Sequence, residues 1–122
     1  MRNILFRGKR LDNGEWEYGF IVKMFGAYHI IDKDDENTAY EVIQETVGQY
    51  TGLNDKNGKR IFEGDILCFD ETVFVCYWDG GNIEFGLRNN EESIGMAYVA
   101  VYDAEIIGNV HDNKLEDFDN GR

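Results

Sequence analysis

Along most of the chain apolar and polar residues alternate with a period of two, and short turns rich in Gly, Asn and Asp interrupt the alternation. The i, i+3, i+4 spacing of an amphipathic helix is scarce, so the pattern predicts a mainly β protein. A first hairpin is expected from residues 3–7, through Asp12-Asn13-Gly14, into residues 15–22, with Asn13-Gly14 supplying the positive φ angles of a type I′ turn. Gly26 allows a further reversal into residues 27–31, and residues 32–38 form a polar loop. Strands are expected at residues 40–43 and 47–50. A tight hairpin tip at Asn57-Gly58 follows, within Asp55-Lys56-Asn57-Gly58.

Glu63-Gly64-Asp65 then leads into two nearly continuous apolar runs, residues 66–69 and 72–78, of the kind that strands covered on both faces require. Asp79-Gly80-Gly81-Asn82 is a turn into residues 83–87, and residues 88–95 are a polar loop with room for one helical turn. Closing strands are expected at residues 96–102 and 105–110, and a short helix or frayed tail from Asp112 onward.

A chain of 122 residues fits one domain with one core. The expected organisation is a single β-rich domain: an N-terminal hairpin region over 1–45, a barrel-like region over 46–112 and an acidic tail over 113–122. Residues 46–110 have the strand order of a small SH3-like β-barrel: a strand, a tight hairpin, a Gly-Asp lead-in to a buried strand, and a meander. The chain contains no proline, which removes one way of blunting edge strands and makes sheet closure or self-association the more attractive solution.

Hydrophobic residues at 43% and aromatics at 14% are enough to build a core, so general disorder is not expected. No run is long and apolar enough for a membrane span. Charge returns at Arg7, before any signal-peptide apolar segment forms, so the chain is expected to be cytoplasmic, with no membrane partner. The formal charge is −12, from 24 acidic and 12 basic residues. Residues 1–30 carry five basic and three acidic side chains, residues 61–122 three basic and fourteen acidic. Such a balance repels a phosphate backbone and makes nucleic acid an unfavoured partner, although Arg7, Lys9 and Arg10 leave a local basic patch.

Cys68 and Cys76 lie outside any metal-ligand spacing. A hairpin turning near Asp70-Glu71-Thr72 would set the two thiols roughly opposite one another, although reduced, buried thiols are the simpler expectation. A calcium loop counted from Asp32 would need Gly and Glu where Asn37 and Ile43 stand, and one counted from Asp55 meets Lys59 and Arg60. Neither His29 nor His111 has a recognisable nucleophile partner, and no segment has the form of a phosphate-binding loop. The chain is therefore read as non-enzymatic, with no cofactor and no metal. Asp65 is expected to accept backbone N–H bonds at its turn.

Trp16 and Tyr18 share one strand face. Together with the cations Arg7, Lys9 and Lys56, and with Tyr50, they are the candidate partner-binding residues. Arg7 has a second option, stacking on Trp16 within the molecule.

Four blocks of the sequence carry a family likeness: Phe6-Arg7-Gly8-Lys9, Gly14-Glu15-Trp16-Glu17-Tyr18-Gly19, the long stretch from Glu45 to Ile66, and Ile106-Ile107-Gly108-Asn109-Val110-His111-Asp112-Asn113. In this order they resemble the YopX-type proteins of phages and prophages. After Asn113 this chain departs from the Asn-Pro-Glu-Leu continuation common in that family, with Lys114-Leu115-Glu116. The resemblance implies a small β-rich protein encoded by a phage or prophage and acting in the bacterial cytoplasm. It brings no catalytic residues with it.

The leading expectation is an accessory protein that works by contact with a host or phage protein, self-association included. Two alternatives remain: an acidic decoy that mimics nucleic acid, motivated by residues 61–122, and a weak nucleic-acid-binding barrel using Arg7, Lys9, Arg10, Lys56, Lys59 and Arg60.

Overall fold

The computed structural model describes residues 4–96, 103–114 and 116–119, and the chain divides into two compact units, Met1–Tyr50 and Thr51–Arg122. Strands in both are antiparallel, as the short turns between successive strands require.

In the first unit β1 (Phe6–Lys9), β2 (Trp16–Met24), β3 (Ala27–Asp32) and β4 (Ala39–Glu41) follow one another as a meander. The start of β5 (Gly48–Asn54) pairs with the far side of β1, setting Arg7 opposite Gly48 and Phe6 opposite Gln49. The end of β4 also returns to the end of β1. Leu11 N donates to Glu41 O at 2.9 Å, Ile43 N donates to Lys9 O at 2.8 Å, and Arg10 faces Val42 in a β-bridge. A 3-10 turn at Gln44–Thr46 then redirects the chain into β5. Thr46 fixes that turn, its hydroxyl donating to Ile43 O at 2.6 Å and accepting from Lys9 N at 2.9 Å. Leu5, Ile30 and Val42 are buried here.

The strands of the first hairpin stand where the alternation puts them, but its turn is not the type I′ pair expected at Asn13-Gly14. The ladder ends at Lys9 opposite Trp16, and Arg10 N donates to Glu15 O at 2.8 Å, so residues 11–14 form a longer loop. Only Gly14 takes a positive φ there, 75°, while the Asn13 side chain accepts from Glu15 N at 2.9 Å. The two-residue turns with positive φ at both positions are elsewhere. One is Phe25-Gly26 (53° and 79°) between β2 and β3, and the other is Asp70-Glu71 (51° and 61°).

In the second unit the end of β5 runs into β6 (Arg60–Phe62) around the tip at residues 55–59, with Gly58 at φ 83° as the sequence predicts. A five-stranded sheet follows, made of β7 (Asp65–Phe69), β8 (Thr72–Asp79), β9 (Glu84–Arg88), β10 (Ser93–Gly95) and β11 (Glu105–Asn109), in the spatial order β10-β9-β8-β7-β11. Ile61, Leu67, Phe69, Phe74, Cys76, Leu87, Met96 and Ala104 build its core. The rings of Phe69 and Phe74 stack at 4.8 Å across the β7–β8 hairpin. The near-continuous burial of β7 accounts for its unbroken apolar run.

Two expectations are corrected in this unit. Cys68 is paired with Val73, whereas Cys76 lies three residues further along β8 and on the opposite face, so the thiols do not oppose one another and no disulfide joins them. Residues 88–95 hold no helical turn. Asn89 closes a tight turn by accepting from Glu91 N and Glu92 N at 2.9 Å, and β10 pairs back on β9. The strand expected at residues 96–102 lies, beyond Met96, outside the described residues. The last described residues form one helical turn, α1 (Glu116–Asp119), as the tail composition allows.

Glu71 occupies a left-handed position that costs a side-chain-bearing residue about 1–2 kcal/mol. Glu71→Gly removes that strain and raises stability by about 0.5–1 kcal/mol, net of the added freedom of the unfolded chain, a gain that urea denaturation will read as a higher midpoint.

Candidate functional site

The β1–β2 ladder sets Arg7 directly across from Tyr18 and Lys9 directly across from Trp16. Residues two apart in a strand share a face, so all four project from one side of the sheet. Tyr50 N donates to Leu5 O at 2.8 Å, which puts Tyr50 in register on that same side, two positions beyond Gly48. Five of the six residues nominated from the sequence therefore share one face of the first unit.

Their chemistry there is internal as well as external. Arg7 is only 6% exposed, and its guanidinium carbon sits 4.6 Å from the centroid of the Trp16 ring. Lys9 Nζ lies 5.6 Å from the same centroid. One indole thus faces two cations, an arrangement that its electron-rich face stabilises and that fixes β1 to β2 through side chains as well as backbone. Tyr18 is exposed beside them.

On the opposite side of β1 Arg10 pairs with Asp12 at 2.8 Å and Glu17 at 3.5 Å, and its guanidinium lies 4.4 Å from the Tyr40 ring centroid. The hydrogen bond from Arg10 holds the Asp12 carboxyl below the usual carboxylate range. Arg10, Leu11, Asp12, Tyr40 and Glu41 line a shallow cleft of about 230 Å³.

Lys56, the sixth nominated residue, belongs to the second unit. It sits at the β5–β6 tip, where its N–H donates to Ala104 O at 2.9 Å and its Nζ lies 3.8 Å from Glu105 Oε1. Asp55 organises this tip. Its Oδ1 accepts from Asn57 N and Lys59 N, both at 2.9 Å, and its Oδ2 accepts from Ile106 N at 3.0 Å on β11. Burial opposes ionisation of this carboxyl, yet the three backbone donors, with Lys59 nearby, hold its pKa below the ordinary value.

Asp65 is buried and accepts from Phe62 N at 2.7 Å, closing the Glu63-Gly64 turn in the way its position predicts. Gly64 adopts φ 94° and its carbonyl accepts from Val110 N at 2.9 Å. Asn109 in turn accepts from His111 N and Asp112 N at 3.0 Å. Two stretches far apart in sequence, residues 55–65 and 106–113, thus interlock through carboxylates, amides and carbonyls bonded to main chain. These groups hold shape.

Among the described residues no three His, Cys, Asp or Glu side chains are grouped to hold a metal ion, and no helix is long and apolar enough to cross a membrane. His29 Nδ1 lies 3.1 Å from Ala27 O on its own strand.

Sequence reasoning did not single out two side chains that the structure makes conspicuous. Phe25 is fully exposed at the β2–β3 tip with φ 53°, and Ile83 is 77% exposed at the β8–β9 tip with φ 55°. Nothing in the local pattern separates them from strand residues: each adjoins an apolar run, and only the register assigns them to turns. No curated protein matches the chain. Over residues 5–116, which take in every described strand, the sequence fits the YopX protein family, and the chain belongs to that family.

Proposed function

We propose that this chain is a non-enzymatic accessory protein of a phage or prophage, acting in the bacterial cytoplasm by contact with a host or phage protein, further copies of itself included. The observation that carries the reading is the pair of exposed hairpin tips. An apolar side chain in left-handed backbone is disfavoured by local sterics and, when exposed, gains no burial in the isolated chain. Phe25 and Ile83 both stand in that position, and contact with a second surface would compensate both costs. The phage source and the cytoplasmic setting are what family membership and the charged, span-free sequence imply. An SH3-like closure of residues 46–110 belongs to the same reading and is supported by the order of its hairpin, its Gly-Asp turn and its meander.

The test is capture of partners from host lysate by the tagged full chain, alongside light scattering of the purified protein. A specific protein partner or a defined oligomer, weakened by Phe25→Gly or Ile83→Gly, is the expected result. A strictly monomeric chain that captures nothing specific overturns the proposal.

A further inference from the structure

Strand β2 outruns one of its neighbours. Its ladder with β1 stops at Gly19 opposite Phe6, whereas its ladder with β3 continues to Met24 opposite Ala27. In an antiparallel strand successive residues turn their N–H and C=O groups to opposite sides. Arg10 N donates to Glu15 O at 2.8 Å, so Glu15, Glu17, Gly19, Ile21 and Lys23 face the β1 side. Lys33 N donates to Tyr18 O at 3.1 Å, so Tyr18, Phe20, Val22 and Met24 face β3. The bond from Val42 N to Tyr28 O agrees, because Tyr28, the partner of Lys23, then turns away from β2. Past Gly19 the main chain of Ile21 and Lys23 therefore faces outward, and among the described residues no backbone group meets it. Beside this edge Ile4, Phe6, Phe20 and Ile21 line an open cleft of about 380 Å³, with Ile4 and Phe20 half exposed. Residues 18–31 hold none of the chain's 24 acidic side chains, and their one lysine, Lys23, is exposed.

We infer that the overhanging edge of β2, Phe20–Met24, takes up an extended segment of another protein as an added strand, with apolar side chains along the cleft and an Asp or Glu opposite Lys23. This assignment rests on the protein-contact reading above and names the partner's chemistry. The edge itself selects the occupant. Donors and acceptors alternating in line are matched by another main chain, whereas phosphate oxygens only accept and acyl chains do neither. The apolar cleft takes an apolar side chain from that strand. A carboxylate on it meets Lys23 and no carboxylate of residues 18–31. A second copy docking by the same edge brings another lysine and no carboxylate.

The experiment uses the full chain and a fluorescent peptide of valine and threonine with one glutamate. Amide exchange followed by NMR reads the edge directly. In the free chain Ile21 and Lys23 are expected to exchange at least about tenfold faster than Val22, and the peptide is expected to slow both by about tenfold or more. Affinity should fall at least about tenfold when the peptide's backbone nitrogens are methylated, which removes its donors and keeps its side chains. Lys23→Pro deletes an outward N–H that no strand of the chain bonds, so it should keep the fold and weaken the peptide by about tenfold or more. Lys23→Gln should weaken it by about two- to fivefold, and Ile83→Gly, in the other unit, should leave it unchanged. Ile21 and Lys23 amides as slow as Val22 in the purified chain mean a filled edge and overturn the inference. Equal binding of the methylated peptide, or binding that ignores Lys23→Pro, overturns it as well. So does protection of both amides that grows with protein concentration alone, the mark of a second copy. A lysate partner held equally by the parent chain and by Lys23→Pro overturns the assignment to this edge while the protein-contact reading stands. Capture of no partner, with peptide binding intact, overturns that reading and leaves the edge's binding chemistry supported.

Discussion

Asp55→Ala is expected to lower stability by about 3 kcal/mol, because it leaves three backbone N–H groups at the β5–β6 tip and on β11 without their carboxylate acceptor. Asp55→Asn keeps the shape but loses the charge, and its amide presents a donor where Ile106 N needs an acceptor, so a loss of about 2 kcal/mol is expected. The pH dependence distinguishes this from a packing defect. The folded-state pKa of Asp55 is depressed, so its contribution is fully present above the unfolded value near 3.9 and is lost as the pH falls through the folded value. Urea midpoints of the parent and of Asp55→Asn should therefore converge as the pH falls from neutrality toward 3, and a constant gap across that range contradicts the assignment.

Gly19→Ala is expected to cost about 3 kcal/mol or more, or to prevent folding of the first unit. Gly19 sits at the middle of the sheet, paired with Phe6 on one side and Asp32 on the other. A Cβ placed there would lie 1.8 Å from the Ile31 carbonyl oxygen and 2.8 Å from its carbon. Those are backbone atoms of a hydrogen-bonded strand, so they can give way only by parting β2 from β3. Gly95→Ala is the matched control. It is also a strand glycine, but nothing lies within 4 Å of its Cβ direction, and its midpoint should move by less than about 1 kcal/mol. Thermal or urea denaturation of the two variants side by side reads the difference.

Strand positions were legible because burial on one or both faces writes itself into the sequence as alternation or as an unbroken apolar run. Residues 65–69 and 72–79 are the plainest instances. Turn chemistry was legible only where the loop length matched the dipeptide. Asn57-Gly58 forms its tip, whereas Asn13-Gly14 is drawn into a longer loop because pairing ends at Lys9 and Trp16, short of the Asp12–Glu15 pair that a two-residue turn there needs. Asp70-Glu71 gives no glycine signal. There the packing of β7 on β8, with Phe69 stacked on Phe74, forces two ordinary residues into left-handed backbone.

The candidate site shows the same division. The common face of Arg7, Lys9, Trp16 and Tyr18 follows from strand period once the hairpin is known. The stacking of Arg7 on Trp16 was legible with it, as an option within the first hairpin, whereas bringing Asp55 to Ile106 needs a contact between residues too far apart in sequence for any local pattern to encode. Ile83 was read as the start of a strand because an isoleucine before Glu84-Phe85 looks like one. Only the Asp79–Glu84 pairing assigns it to the turn.

The bonds from Leu11 and Ile43 bear on how the protein behaves when concentrated. A row of vacant main-chain donors and acceptors invites other molecules to add on strand by strand, and a polypeptide devoid of proline lacks the commonest obstacle to that growth. By lending the same short segment to two neighbours, the first fifty residues answer those groups from within. Among the described residues this closes one such row in the first unit, while β10 and β11 stand at the edges of the second unit's sheet.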